Sequence, residues 1–359
     1  MLRSIVLVWA LCLAASAAAS AEEAPVDSLA SGVWVMRHED PASKTVVVEF
    51  ERFLAMIESP GDEALARATL ARLDEVFPDK PVRFLLHTHP HGHSIGAIDP
   101  YLARGVTIVT SATNLERIAE RSGDPQRFER VALVVSDGFA IEDPSNRLVV
   151  RVIDQDEYTV PSDDYTIFEL PAQEIVVSGC LYNKPLTHHQ VVNERKPALH
   201  RFLVDHGCAA KVLVPTNTTG ASGYEDLCSL AMLEETLREG LDPADVADRL
   251  EAMSLEEIEQ QLDALAAEYR EITPSAYDLI VCANTIDLRR EDLDRSALFF
   301  EVALRVFPDD PDVAYYLGRA RWKNDQPDQA EAAWARALEL AEDEEERKDL
   351  EEAIGRVRG

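Results

Sequence analysis

Five short runs, Val33-Trp34-Val35, Val46-Val47-Val48, Phe84-Leu85-Leu86, Val106-Thr107-Ile108-Val109 and Ile175-Val176-Val177, fall between Ser31 and about Val214, and the pattern fades beyond Tyr224. β-Branched and aromatic residues in such runs suit the pleated, half-buried surface of a strand. Helical stretches alternate with several of them. In DEALARATLARLDEV (62–76), Leu65, Ala68, Leu70, Leu73 and Val76 recur at near-helical spacing, and Pro78 with Pro81 end the segment before the next strand. The alternation predicts an α/β fold. Beyond Tyr224, amphipathic helices are expected at 225–239, 243–252 and 255–270, with Asp242-Pro243 and the pair Ser254 and Glu257 marking helix starts.

The last part of the chain repeats itself. A shift of 34 residues superposes Phe300 on Trp334, Ala303 on Ala337 and Ser296 on Ala330, with Pro308 ending the first copy. The period and positions resemble the tetratricopeptide repeat, in which paired antiparallel helices interlock small and aromatic residues. The copies span roughly 275–308 and 309–343. Two are few for independent stability, so this segment is expected to pack against the helices before it. The organisation expected is a signal peptide at 1–21, an α/β domain at 22–224, a helical segment at 225–272, two tetratricopeptide-like repeats at 273–343 and an acidic helical tail at 344–359.

The signal peptide rests on Arg3, an apolar run from Ile5 to Ala15, and small residues at Ala19-Ser20-Ala21. That run is shorter than the ~20 residues a spanning helix needs, and no later stretch is long enough. A periplasmic or secreted protein is the expectation. Cys180, Cys208, Cys228 and Cys282 then meet an oxidising compartment; Cys208 and Cys228 flank a short loop and are the first candidates for a disulfide, with free buried thiols the alternative. The net charge is −31, and residues 224–359 hold 36 acids against 15 bases. Such a field repels phosphate backbones and anionic membrane surfaces, so neither nucleic acid nor a membrane is expected as partner. A protein or peptide partner on the helical repeats is compatible with it.

Chemistry points to one place. His87, His89, His91 and His93 occupy alternate positions of HTHPHGHSIG, directly after a strand, where α/β folds commonly carry active-site loops. Imidazole is the commonest protein ligand for zinc and related metals. The stretch FPDKPVRFLLHTHPHGHSIGAIDPYLARGVTIVT resembles the first metal-binding stretch of the metallo-β-lactamase-fold hydrolases, whose motif is His-x-His-x-Asp-His. That resemblance implies an αββα sandwich and a zinc site. Aligned without gaps, His89 and His91 match the first two ligands, His93 replaces the aspartate and Ser94 the last histidine. With one residue deleted, His93 matches the last histidine and the aspartate has no counterpart.

Further landmarks follow in order over about residues 30–220. IVVSGCLYN resembles the strand and turn that present Asp or Cys to the metal, which places Cys180 there, as ligand or as a small residue at a strand end. Tyr158 precedes the strand Tyr165–Leu170 where a histidine is usual, and Asn217 stands where Pro-Gly-His-Gly would supply the last histidine. The expected metal residues are therefore His89, His91, His93 and Cys180, with Ser94, Tyr158 and Asn217 as altered ligand positions. Loss of the carboxylate that binds the second metal and orients water argues against a dinuclear hydrolase. The expected function is a noncatalytic exported protein with a degenerate metal site and a helical tail for protein contacts. The alternative is a mononuclear zinc hydrolase acting on an ester, amide or thioester.

Overall fold

The computed structural model describes residues 25–39, 42–90, 97–122, 128, 131–162, 164–188 and 190–359. The signal peptide expected at 1–21, and His91, His93 and Ser94, lie outside the described residues. The chain divides into two compact units: Met1–Asn183 with Ala198–Ala231, and Lys184–Pro197 with Met232–Gly359.

The first unit holds two sheets. Strands β1 (Val26–Ala30), β2 (Val33–Glu39), β3 (Ala42–Glu49), β4 (Leu54–Ile57), β5 (Val82–Leu86), β6 (Thr107–Thr110) and β7 (Ala132–Val134) lie in sequence order in a seven-stranded sheet. It is antiparallel from β1 to β4 and parallel from β4 to β7. Parallel neighbours need crossovers, and helices supply them: α1 (Glu63–Val76), α2 (Asp99–Ala103) and α3 (Ala112–Ser122). Strands β8 (Ala140–Glu142), β9 (Arg147–Asp154), β10 (Asp164–Leu170), β11 (Ile175–Gly179) and β12 (Val212–Pro215) form the second sheet in the order β12-β11-β10-β9-β8.

Period-two alternation assembles the layers. On β3, Val46 and Val48 enter a core shared with Leu148, Val150, Phe168, Val177 and Val214 of the second sheet. Val47 points the other way, into a core with Leu54, Met56, Leu85 and Ile108 that Ala66, Leu70 and Leu73 of α1 cover. Helix α4 (Arg195–Asp205) buries Leu199, Phe202 and Leu203, and Phe202 meets Tyr158, just beyond β9, edge to face at 5.3 Å. The layer order is helix, sheet, sheet, helix, as the resemblance implied. Asp62 caps α1 by accepting from the Leu65 N–H at 2.8 Å, the role that Asp in that position favours.

The second unit is helical: α5 (Leu230–Glu239), α6 (Pro243–Glu251), α7 (Leu255–Ile272), α8 (Ala276–Arg290), α9 (Leu293–Val306), α10 (Pro311–Lys323), α11 (Pro327–Leu340) and α12 (Glu344–Arg358). The expected Ser254 and Glu257 capping box opens α7. Helices α9 and α11 begin 34 residues apart, at Leu293 and Pro327. Gly318 of α10 faces Trp334 of α11 so closely that a Cβ on it would lie 2.4 Å from the indole. The strap 184–197 is also part of this unit: Val191 is fully buried in the core with Leu250, Ile258 and Leu279, and its N–H donates to Asp278 at 3.3 Å. No described helix is long and apolar enough to cross a membrane.

The pairing of Cys208 with Cys228 is not formed, and none of the four described cysteines is in a disulfide. Their neighbours differ. Burial beside Glu169 pushes the Cys208 thiol up to about 11, whereas Cys228 is bridged through its backbone to Leu213 on β12.

Candidate metal site

The parallel pairing of β4 with β5 brings their carboxyl ends side by side, so Glu58 beyond one strand meets His87, Thr88 and His89 beyond the other. The Glu58 N–H donates to the Leu86 carbonyl at 2.9 Å, and its φ of +65° is unusual for a residue other than glycine. All four residues are buried. The second sheet closes on them: the Thr166 hydroxyl donates to the His87 carbonyl at 2.5 Å and the Thr166 N–H to the Thr88 carbonyl at 2.8 Å. Cys180, directly after β11, then places Sγ 3.5 Å from His89 Nε2.

Glu58 organises the loop. One carboxylate oxygen accepts the Thr88 N–H at 3.0 Å and the Thr88 hydroxyl, and the other faces His87 Nδ1 at 3.4 Å. Burial would raise this carboxyl, but the hydrogen bonds from His87 and Thr88 and the nearby imidazoles outweigh it and hold it below its ordinary range. Thr88 Oγ1 also lies 2.7 Å from His89 Nδ1. His87 Nε2 is buried without a hydrogen-bond partner.

Sequence reasoning missed Tyr165. Its ring stacks on His89 with centroids 4.9 Å apart, and its hydroxyl accepts the Cys180 N–H at 2.8 Å and lies 3.2 Å from the Ser178 carbonyl and 3.6 Å from Sγ. Burial, with the Cys180 sulfur beside it, raises the phenol well above its ordinary value, so it stays a neutral donor. Gly179 makes room for it, at φ +63°, a conformation glycine adopts without penalty. Glu58 was equally hidden, because only the parallel strand pairing brings it to the histidines. Tyr165 is the second residue of β10, whereas the sequence pattern directs attention to Tyr158, ahead of that strand.

Tyr158 faces elsewhere. Its hydroxyl donates to Asp205 at 3.2 Å and the Arg201 guanidinium lies over its ring at 4.5 Å, both from α4. Asn217 is half-buried in the loop after β12, with Oδ1 lacking a partner. That loop is held by the buried Lys44, whose ammonium donates to the carbonyls of Pro215, at 3.0 Å, and Thr218.

The pair His89 and Cys180 fits a metal ion as far as two ligands go. Zinc bonds of about 2.05 Å to nitrogen and 2.3 Å to sulfur in tetrahedral geometry put the two donor atoms roughly 3.6 Å apart, against the 3.5 Å observed. No group of three His, Cys, Asp or Glu residues able to hold a metal occurs among the described residues.

The layers define an αββα sandwich, the arrangement the sequence resemblance implied. No family model matches the chain, and no curated protein matches it. Solved structures to which the chain is similar include three metallo-β-lactamases. One from Pontibacter korlensis is 21% identical with a TM-score of 0.48, covering 60% of this chain and 97% of its own. FIM-1 from Pseudomonas aeruginosa, in a mono-zinc form, is 18% identical with a TM-score of 0.45, covering 60% and 93%. One from Hirschia baltica is 15% identical with a TM-score of 0.44, covering 60% and 96%.

Proposed function

We propose that this is an exported, noncatalytic protein of metallo-β-lactamase-like fold, whose degenerate site keeps at most one metal ion and whose helical unit makes protein contacts. The observation that carries the reading is the use of Glu58. Metal-assisted hydrolysis needs a base or an orienting acceptor for water, and Glu58, fully buried, spends its oxygens on Thr88 and His87. Tyr165 supplies a neutral phenol beside the pair, not a base. Export is supported by the apolar N-terminal run and its small-residue end. The test is turnover of β-lactam, aryl ester, amide and thioester substrates by the zinc-supplemented protein. No turnover above that of the His89→Ala variant is expected; activity that this substitution abolishes would reject the noncatalytic reading.

A second reading, the mononuclear zinc hydrolase, is favoured by the 3.5 Å approach of His89 Nε2 to Cys180 Sγ. His89 and Cys180 would hold the ion, with His91 or His93 as further ligands. A bound zinc would acidify water and polarise an ester, amide or thioester carbonyl.

The helical unit offers a groove of about 750 Å³ between α10 and α12, lined by Asp312, Tyr315, Tyr316, Glu346, Asp349 and Glu352 among others. Its acids suit a basic peptide as partner. An arginine-rich peptide should bind the full chain and bind the Asp312→Asn, Asp349→Asn double variant more weakly. Equal binding would remove the groove from the reading.

A further inference from the structure

In the helical unit, α11 and α12 meet over one indole. Trp334 of α11 is buried with Ala330 and Ile354, and the Arg358 guanidinium of α12 lies over its ring, 5.2 Å from the centroid. From that position Arg358 Nε donates to Glu331 Oε1 at 3.1 Å, and Nη2 donates to Glu331 Oε2. An aromatic face joined to a two-point carboxylate contact suits a planar guanidinium better than an ammonium. The same residues line a cleft of about 340 Å³, to which Glu351 adds a second carboxylate. The dipole at the end of α12 favours any cation there, and Arg356 in the same turn already meets that need. It does not account for Arg358 reaching across to Glu331.

We propose that the cleft between α11 and α12 is a recognition pocket for an arginyl side chain of a basic partner, and that Arg358 fills it in the unbound chain and swings aside to admit the partner's guanidinium. The contact is easily opened. Arg358 and Glu331 are 45% and 49% exposed, and an ion pair that exposed holds its members weakly. Leu350 and Ile354, buried against Ala314, Ala337 and Trp334, hold α12 in place when it opens. The excess of 36 acids over 15 bases in residues 224–359 draws a basic segment toward this unit. The inference rests on the reading that the helical unit binds a basic peptide; it adds the side chain that anchors the peptide and the contact that competes with it.

The test titrates the full chain with hexa-arginine and, in parallel, with hexa-lysine by calorimetry, after circular dichroism has shown each variant folded. Arg358→Ala should bind hexa-arginine roughly two- to fivefold more tightly than the wild type, the range an exposed ion pair can withhold. Arg347→Ala removes the same charge from the other end of α12 and should give a smaller gain. Adding Glu331→Gln to Arg358→Ala should abolish the gain, and hexa-lysine should gain no more from Arg358→Ala than from Arg347→Ala. A hexa-arginine gain no larger than that of Arg347→Ala, a gain that survives Glu331→Gln, or an equal gain for hexa-lysine overturns the proposal. Hexa-arginine that binds neither the wild type nor Arg358→Ala overturns the basic-partner reading and this inference with it. Binding that the Asp312→Asn, Asp349→Asn variant weakens but Arg358→Ala leaves unchanged overturns the pocket alone.

Discussion

A Cβ on Gly179 would lie 2.1 Å from the Tyr165 hydroxyl and 2.7 Å from Thr88 Oγ1. The turn that carries Cys180 is therefore shaped around a phenol from the neighbouring strand. Gly179→Ala should destabilise the first unit by at least about 2 kcal/mol, since the left-handed backbone alone costs roughly 1–2 kcal/mol for a residue with a Cβ and the overlap adds to it. Tyr165→Phe should cost about 1–2 kcal/mol through the Cys180 N–H it leaves unsatisfied. The two losses should combine to less than their sum, because the phenylalanine vacates the space the methyl needs. Denaturant unfolding of both single variants and the double variant checks this, and strict additivity would refute the shared space.

The fold was legible because periodicity reports it directly. The runs at Val46-Val47-Val48 and Ile175-Val176-Val177 became β3 and β11, and the spacing of Leu70 and Leu73 became the buried face of α1. The site was legible only in outline. His89 and Cys180 stand where a motif and a strand end put them, but Glu58 joins through parallel strand pairing and Tyr165 through an antiparallel register, neither of which leaves a local sequence pattern. Tyr158, read from the sequence as a position where the usual histidine is replaced, packs against Phe202 and donates to Asp205. The strap 184–197 is a similar case, since no compositional break at Asn183 announces that Val191 will complete a helical core.

His38 provides a pH test away from the site. It is buried on β2 with Nε2 3.2 Å from the Thr45 hydroxyl, and burial lowers its pKa from 6.5 to about 4. The unfolded chain therefore binds the proton more readily between those values, and stability must fall as pH drops from 6.5 toward 4. The loss attributable to this group is of the order of 2–3 kcal/mol. His38→Phe should flatten that part of the stability profile; an unchanged slope in urea titrations from pH 7 to pH 4 would show that His38 is not responsible.

In the helical unit, Gly318→Ala sets two effects against each other. Alanine within a helix is normally favoured over glycine by about 1 kcal/mol. Here the added methyl would meet the buried Trp334 indole, whose Nε1–H donates to the Tyr315 carbonyl at 3.1 Å. Overpacking typically costs 1–3 kcal/mol, so a lower melting temperature is expected. A higher one would mean that the indole moves aside freely.

Val191→Ala should weaken the helical unit by about 1–3 kcal/mol, the range for a buried side chain truncated to alanine, because Val191 is fully buried among its helices. Faster proteolysis within residues 232–359 would be the sign. Cleavage at the wild-type rate would show that the strap contributes nothing to that core.

The most direct test of the account is the zinc content of the untagged protein after saturation and gel filtration, measured for the wild type and Cys180→Ser. A degenerate site built on His89 and Cys180 predicts no more than one zinc per wild-type chain and loss of that zinc on substitution. Two zinc ions per chain, or a single zinc that Cys180→Ser retains undiminished, would contradict it.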